Sequence, residues 1–472
     1  MKFTKFGKAL LISALSAGVV FSVTSCIQDY SVGYLYVTGT VTAGTSSDGI
    51  ISGFKIDHNT GKLDAIHGLP VSSGGANPVR ALLLSGSRFL YVLNRGVSSN
   101  PAGSSICTTQ YPCQNSNITQ FAIGSNGILT PQETFYTQGL NPFRMIADSS
   151  GSYIYVLEHD SLYNGAPSSA TNPNPYCANA LNGATSCGDI TAFSVNATTG
   201  RLSTLQNAQG TASLGSTLSY FPVPSNPVDF LISSGYILTM NATTATAGVS
   251  LYPPYQYTGG ATEYPYAVNS SNGQLASSGS TPDSIGSVTK GTAIVNVGSY
   301  VFVLDNEAPS PNPTSASSQM LVFTVGNAGA LVAANPSVIA GDPKQSNPIF
   351  AVQENKGKWF YVANQGVPET ISSLALSGLA GYVINSPFQP TEIGTTVSFG
   401  SGSGPQCLVE DPSNQFFYTA NINDSSVTGQ AIDQNSGTLI PLNNATKAPT
   451  EYSLTGPPTW CLVDGRTNCT AA

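Results

Sequence analysis

Apolar and aromatic residues in this chain come in short runs, each bounded by Gly, Pro, Asn or Ser. Runs of this length, rich in β-branched and aromatic residues, predict strands rather than helices. One run returns seven times: "YLYVTG" at 34, "FLYVLN" at 89, "YIYVLE" at 153, "GYILTMN" at 235, "YVFVLDN" at 300, "WFYVAN" at 359 and "FFYTAN" at 416. A second, alternating run follows each: "IISGFKID" (50), "NITQFAIG" (117), "DITAFSVN" (189), "TEYPYAVN" (262), "QMLVFTVG" (319), "LAGYVINS" (379) and "VTGQAIDQ" (427). A Gly-x-Leu turn then opens a further strand in "TGKL", "NGIL", "TGRL", "NGQL", "AGAL" and "SGTL"; only after "LAGYVINS" does "PFQPTEI" replace it.

With the apolar strand after each Asn-Pro or Gly-Pro turn, the unit has four antiparallel strands, A to D, and repeats seven times. This predicts an all-β, seven-bladed β-propeller. The chain begins with a B strand that has no A and ends with "PTWCLV" at 458–463, an A strand that has no B. The two ends are therefore expected to share the last blade, with the propeller over 33–463 and a tail at 464–472. Composition agrees: of 472 residues only 8 % are charged, and there are 48 Gly, 31 Pro and 22 Tyr, far from helix-rich or disordered chains.

The N-terminus carries a different pattern. Lys2, Lys5 and Lys8 precede "ALLISALSAGVVFSV", a charged region and a short apolar region that predict a secretory signal. "VTSC" at 23–26 resembles a bacterial lipobox, which implies a signal over 1–25, an acylated Cys26, a tether at 26–32 and attachment to a lipid bilayer. Ile27, not an acidic residue, follows Cys26, which in that pattern implies the outer membrane of a Gram-negative cell envelope. Losing the signal leaves 13 basic against 24 acidic residues, a balance of −11. Nucleic acid is a poor partner for such a surface.

The stretch "YLYVTGT…ISGFKIDHNTGKL…NPVRALLLSGSRFLYVLN" resembles the seven-bladed lactonase-type propellers, which include the 6-phosphogluconolactonases, and the YVTN-type surface propellers. The resemblance spans 33–463 and rests on blade scaffold. It implies hydrolysis of lactones by His, Glu and Arg side chains around the channel mouth, without a cofactor. The strand A histidine of that family is replaced here: "NPVR", "NPFR", "NPVD" and "NPIF" stand in its place.

Two residues after the recurring Pro, successive blades carry Arg80, Arg144 and Asp229, and Glu158 and His159 end strand B of blade 2. These five are the candidate catalytic residues, with Glu158 or His159 as base and the arginines as oxyanion stabilisers. His58 and His67 fall near a solvated turn, and Asn77, Asn141, Asn226 and Asn347 before Pro read as turn residues. Spacing pairs Cys107 with Cys113 and Cys177 with Cys187 as loop staples. Cys407 is expected to bridge Cys461 on adjacent inner strands, with Cys461–Cys469 as the competing pairing. The long connections, 95–116, 159–188 and 205–225, are expected to gather on the face of the B-to-C and D-to-A loops. No metal spacing, phosphate-binding glycine loop or "G-x-S-x-G" elbow occurs. Two functions are therefore expected: an exported, lipid-anchored hydrolase of unphosphorylated lactones or sugar-acid esters, or a non-catalytic propeller that binds a polysaccharide or envelope protein.

Overall fold

The computed structural model describes residues 31–41, 48–84, 88–99, 113–207, 218–247, 255–279, 282–286, 288–306, 318–343, 345–366, 377–385, 388–393, 397–398 and 404–465. Seven antiparallel sheets form the blades of a propeller, each running A-B-C-D from the axis outward. Blade 1 is Pro78–Leu83, Phe89–Asn94, Asn117–Ile123 and Leu129–Tyr136. In blade 7, Pro458–Asp464 pairs with Ser31–Thr40, which pairs with Asp48–Asp57. The two ends of the propeller thus close one blade, as the unmatched A and B strands require.

Alternation along strand B explains why these strands are almost continuously apolar. Leu35 and Val37 pack toward blade 6, whereas Tyr34 and Tyr36 pack toward blade 1. Both faces of each blade are covered by a neighbour, and the buried side chains form seven clusters, one per blade interface. A strand buried on both faces needs no polar face.

The recurring Tyr and Gly have one structural purpose. Tyr36, Tyr91, Tyr155, Tyr361 and Tyr418 each donate from the hydroxyl to the C-to-D turn glycine of the next blade: Gly127, Gly200, Gly273, Gly437 and Gly61, at 2.6–2.9 Å. Gly200, at φ +69°, lies so close to Phe89 that a Cβ would meet the ring at 2.5 Å. Blade 5 lacks that glycine, and the tyrosine facing it is Phe302. There Phe388 fills the gap, stacked on Tyr300 with centroids 3.9 Å apart and edge-on to Phe302 at 6.0 Å. Tyr91→Phe is expected to cost about 1 kcal/mol, a buried hydrogen bond to a carbonyl. Gly200→Ala should cost more, because it adds a clash and a strained φ. Urea denaturation of both variants measures the order.

One expected feature is corrected. The segment 205–225 is not a D-to-A connection: Leu202–Thr204 and Phe221–Val223 both pair with Gly188–Val195, so the insertion interrupts the outermost strand of blade 2. Strand D has only one neighbour in its sheet and can be split without breaking an inner ladder. The same splitting occurs in blades 3, 5, 6 and 7.

Candidate functional site

Strand A begins with a repeated local device. In blades 1, 2, 3, 5 and 6 the residue before the first proline or glutamine pair, Asn77, Asn141, Asn226, Asn347 or Gly404, has φ between 53° and 59°. Asn tolerates this conformation, and its amide ties down the exit of strand B: Asn77 Nδ2 donates to Gly96 O at 2.8 Å. Asn347 Nδ2 donates to Gln365 Oε1 at 3.0 Å. These asparagines are turn residues.

Immediately after this turn every A-B pair carries a bulge. A bulge re-aims one side chain. The residue re-aimed is the second after Pro, or after Gly291 in blade 4, which gives one ring of positions around the axis: Arg80, Arg144, Asp229, Ala293, Phe350, Cys407 and Trp460. Phe350 of blade 5 meets Trp460 of blade 7 edge-on, centroids 5.0 Å apart, so these rings converge past the intervening blade. Arg80 stacks on Trp460, its guanidinium 3.7 Å from the ring centroid.

Arg144 Nε donates to Asp229 Oδ1 at 2.9 Å, and both side chains are largely buried. Asp229 also accepts from the backbone N–H of Phe230 at 2.9 Å and of Ile294, in blade 4, at 3.1 Å. Its carboxylate is saturated and fixes Arg144 in place. Among the described residues no carboxylate comes within ion-pair distance of Arg80. Burial and the Arg144 charge hold the Arg80 cation well below its ordinary pKa, and Asp229 opposes them. Arg80 keeps partial exposure toward the channel, so solvent screens part of this effect. Only Arg144 is thus paired with a carboxylate, which leaves the charge of Arg80 unneutralised on the ring of strand A positions.

Glu158 is elsewhere. It follows Leu157 in strand B, so its side chain leaves the opposite face of the sheet. It is 0 % exposed. Glu158 Oε2 accepts from Gly139 N–H at 2.9 Å and from Thr191 Oγ1 at 2.5 Å. Blade 4 uses Asp305 at the same position to accept from Lys290 N–H at 2.6 Å. Glu158 is therefore a clasp between strand B and the connection leading into its own blade, and the structure does not bring it to the arginines. Beside it lies Asp189, paired across the ladder and also fully buried. Burial, then the Glu158 charge, push the Asp189 carboxyl well above its ordinary pKa. Its contribution to stability is complete below about pH 4, the ordinary Asp value, and is lost as pH rises toward the raised folded value. Asp189→Asn should flatten the fall of the thermal midpoint as pH rises above about 4; an unchanged slope would remove this assignment.

His159 leaves the same face as Leu157, toward blade 3, the side on which Arg144 meets Asp229. Its Nδ1 lies 3.0 Å from Asp160 Oδ1, and Asp160 Oδ2 accepts from Asn141 Nδ2 at 2.5 Å. The carboxylate orients the imidazole. Of the five predicted residues, the structure bonds Arg144 to Asp229, couples Arg80 to both, and buries Glu158 and both ring nitrogens of His159 away from them. Sequence reasoning missed Phe350 and Asp160. Phe350 carried a readable signal, its place two residues after Pro in "NPIF"; Asp160 carried none.

The cysteines follow the expected map where they are described. Cys177–Cys187 and Cys407–Cys461 are disulfides, with Cα–Cα distances of 5.7 and 5.8 Å. Cys26, Cys107 and Cys469 lie outside the described residues, and the Cys107–Cys113 staple with them. Among the described residues no group of three or more His, Cys, Asp or Glu is arranged to hold a metal ion.

Residues 46–163 match the family model described as Lactonase, 7-bladed beta-propeller. No curated protein matches the chain. Among solved structures, a candidate 6-phosphogluconolactonase of Bacteroides uniformis is 12% identical with a TM-score of 0.60, over 93% of this chain and 100% of that one. The Pseudomonas aeruginosa periplasmic gluconolactonase PpgL is 16% identical with a TM-score of 0.57, over 91% and 98%. A hypothetical selenium-binding protein of Sulfolobus tokodaii, 10% identical, reaches 0.56 over 92% and 94%, so these likenesses speak for the fold and not for one activity. The seven closed blades make this chain a seven-bladed β-propeller, similar over residues 46–163 to the lactonase family of such propellers.

Proposed function

We propose that the chain is a hydrolase of unphosphorylated sugar-acid lactones that works at the channel mouth. The observation that carries this reading is the pair of guanidiniums at one bulge position of neighbouring blades, of which only Arg144 is neutralised by a carboxylate. Such a site favours an oxygen that gains negative charge. In the reaction, a second water takes a proton from the water whose oxygen adds to the lactone carbonyl carbon, because both ring nitrogens of His159 are buried. Arg80 and Arg144 stabilise the oxyanion, and Asp229 positions Arg144. The carbonyl then re-forms, the bond to the ring oxygen breaks, and that oxygen takes the proton back from the second water to give the hydroxy acid. Glu158 serves as a clasp and not as the base. The gluconolactonase among the structural neighbours supports the substrate class, and the mature balance of −11 disfavours dianionic phosphosugars. Initial rates on glucono-δ-lactone and its 6-phosphate, side by side, test this: faster turnover of the phosphorylated form would overturn the substrate class.

The reading includes attachment to the cell envelope through acylated Cys26. Ser31 begins strand B on the side of the A-to-B turns, opposite the channel mouth carrying the arginines. Four residues, Ile27 to Tyr30, separate the lipid from this strand, a reach of roughly 17 Å. The membrane would lie on the A-to-B turn side, with the mouth facing outward. Cys26→Ser should move the protein from the membrane to the soluble fraction; a variant that still sediments with membranes would refute the anchor.

A further inference from the structure

On the outer side of the propeller, away from the axis, blades 2 and 3 enclose a cleft of about 240 Å³. Its floor is aromatic and buried: Phe221 from the split strand D of blade 2, and Tyr264 and Tyr266 from strand C of blade 3. One wall is the short helix Pro175–Ala180, which contributes Tyr176 and the exposed Asn179. The opposite rim is the exposed Ser277.

The walls are fixed before any ligand arrives. Cys177–Cys187 ties the helix to the start of strand C of blade 2. Asn174 caps the helix by accepting from Tyr176 N–H at 3.0 Å, and its own amide donates to Tyr220 Oη at 2.9 Å. Tyr264 Oη contacts Ala180 O at 3.2 Å, Ser277 Oγ at 2.8 Å and Gly279 O at 3.0 Å, joining both walls. A preformed concave site of this kind loses little freedom on binding.

The lining decides the ligand class. Among the described residues it consists of Tyr, Phe, Pro, Leu, Ala, Asn and Ser, without a single Asp, Glu, Lys, Arg or His. An ion would enter without a counter-charge. Aromatic surface beside amide and hydroxyl groups suits a ligand with apolar C–H faces and a hydroxyl rim. The volume is below the ~300–1,000 Å³ of drug-sized pockets, enough for one ring.

We propose that this cleft binds one ring of a neutral glycan, as a site separate from the channel mouth. The test is calorimetric titration of the full chain with four neutral trisaccharides: cellotriose, maltotriose, xylotriose and tri-N-acetylchitotriose. At least one is expected to bind. Tyr176→Ala should weaken that binding about tenfold through lost aromatic contact. Asn179→Trp, at an exposed position, should block the mouth and abolish it, whereas Arg80→Met in the channel should leave it unchanged. No binding by any of the four, retention in Asn179→Trp, or loss in Arg80→Met would each overturn the proposal. Because the channel reaction is read separately, failure of one site does not imply failure of the other.

Discussion

Replacing Cys407 and Cys461 together by alanine is expected to lower stability by about 4 kcal/mol, the chain-entropy value for a closed loop of this length. The two residues are 54 apart in sequence and join strand A of blade 6 to strand A of blade 7. That last strand is the one that carries the C-terminal end of the propeller onto Ser31–Thr40, so the bridge locks the segment on which ring closure depends. Cys177–Cys187 spans only 10 residues and sits in a loop; the same relation gives about 3 kcal/mol for it. Chemical denaturation of the two double variants should therefore show the larger loss at the inner bridge. A larger loss at the loop staple would mean that closure of blade 7 rests on packing and on strand pairing alone.

The largest effect on activity is expected for Arg80→Met. Methionine keeps the length and an apolar contact with Trp460 but removes the charge. Loss of one preorganised oxyanion donor typically lowers turnover about 10²–10³-fold. The effect should fall on kcat, since the charge it meets develops in the transition state. Stability should change little, because no carboxylate among the described residues depends on Arg80 and a cation–π contact of this kind contributes about 1 kcal/mol. Arg144 is the poorer probe. Its removal leaves Asp229 with two backbone donors and a buried charge, so lost folding and lost catalysis would be mixed. A drop in kcat/KM that lies wholly in KM would make Arg80 a binding residue instead.

The fold was legible because its determinants are local and repeated. A strand buried on both faces must be apolar throughout, and a turn that must take positive φ beside an aromatic ring must be Gly. The first requirement returns in every blade and the second in all but blade 5, so "FLYVLN" and "TGRL" could be read without knowing any contact. Even the exception was visible: "PFQPTEI" marks the blade where Phe388 replaces the Tyr-to-Gly bond. The site was only partly legible. Counting from Pro placed Arg80, Arg144 and Asp229 on one ring because a bulge recurs at the same register. Glu158 and His159 are neighbours in sequence, and the reading put them together; strand alternation sends them to opposite faces. No local pattern distinguishes an acid that clasps a loop from one that faces a channel, since the difference lies in Gly139, Thr191 and Asp189. The insertion at 205–225 was assigned to a connection for a related reason: the strand that resumes at Phe221 is only three residues long.

The most direct test of the central claim is the pH-stat rate of acid release from glucono-δ-lactone, with the spontaneous rate subtracted, for the full chain beside Arg80→Met. The proposed role of the channel mouth requires a saturable rate proportional to protein that the variant loses by about a hundredfold or more. A rate that does not exceed the spontaneous one, or one that Arg80→Met retains in full, would contradict it.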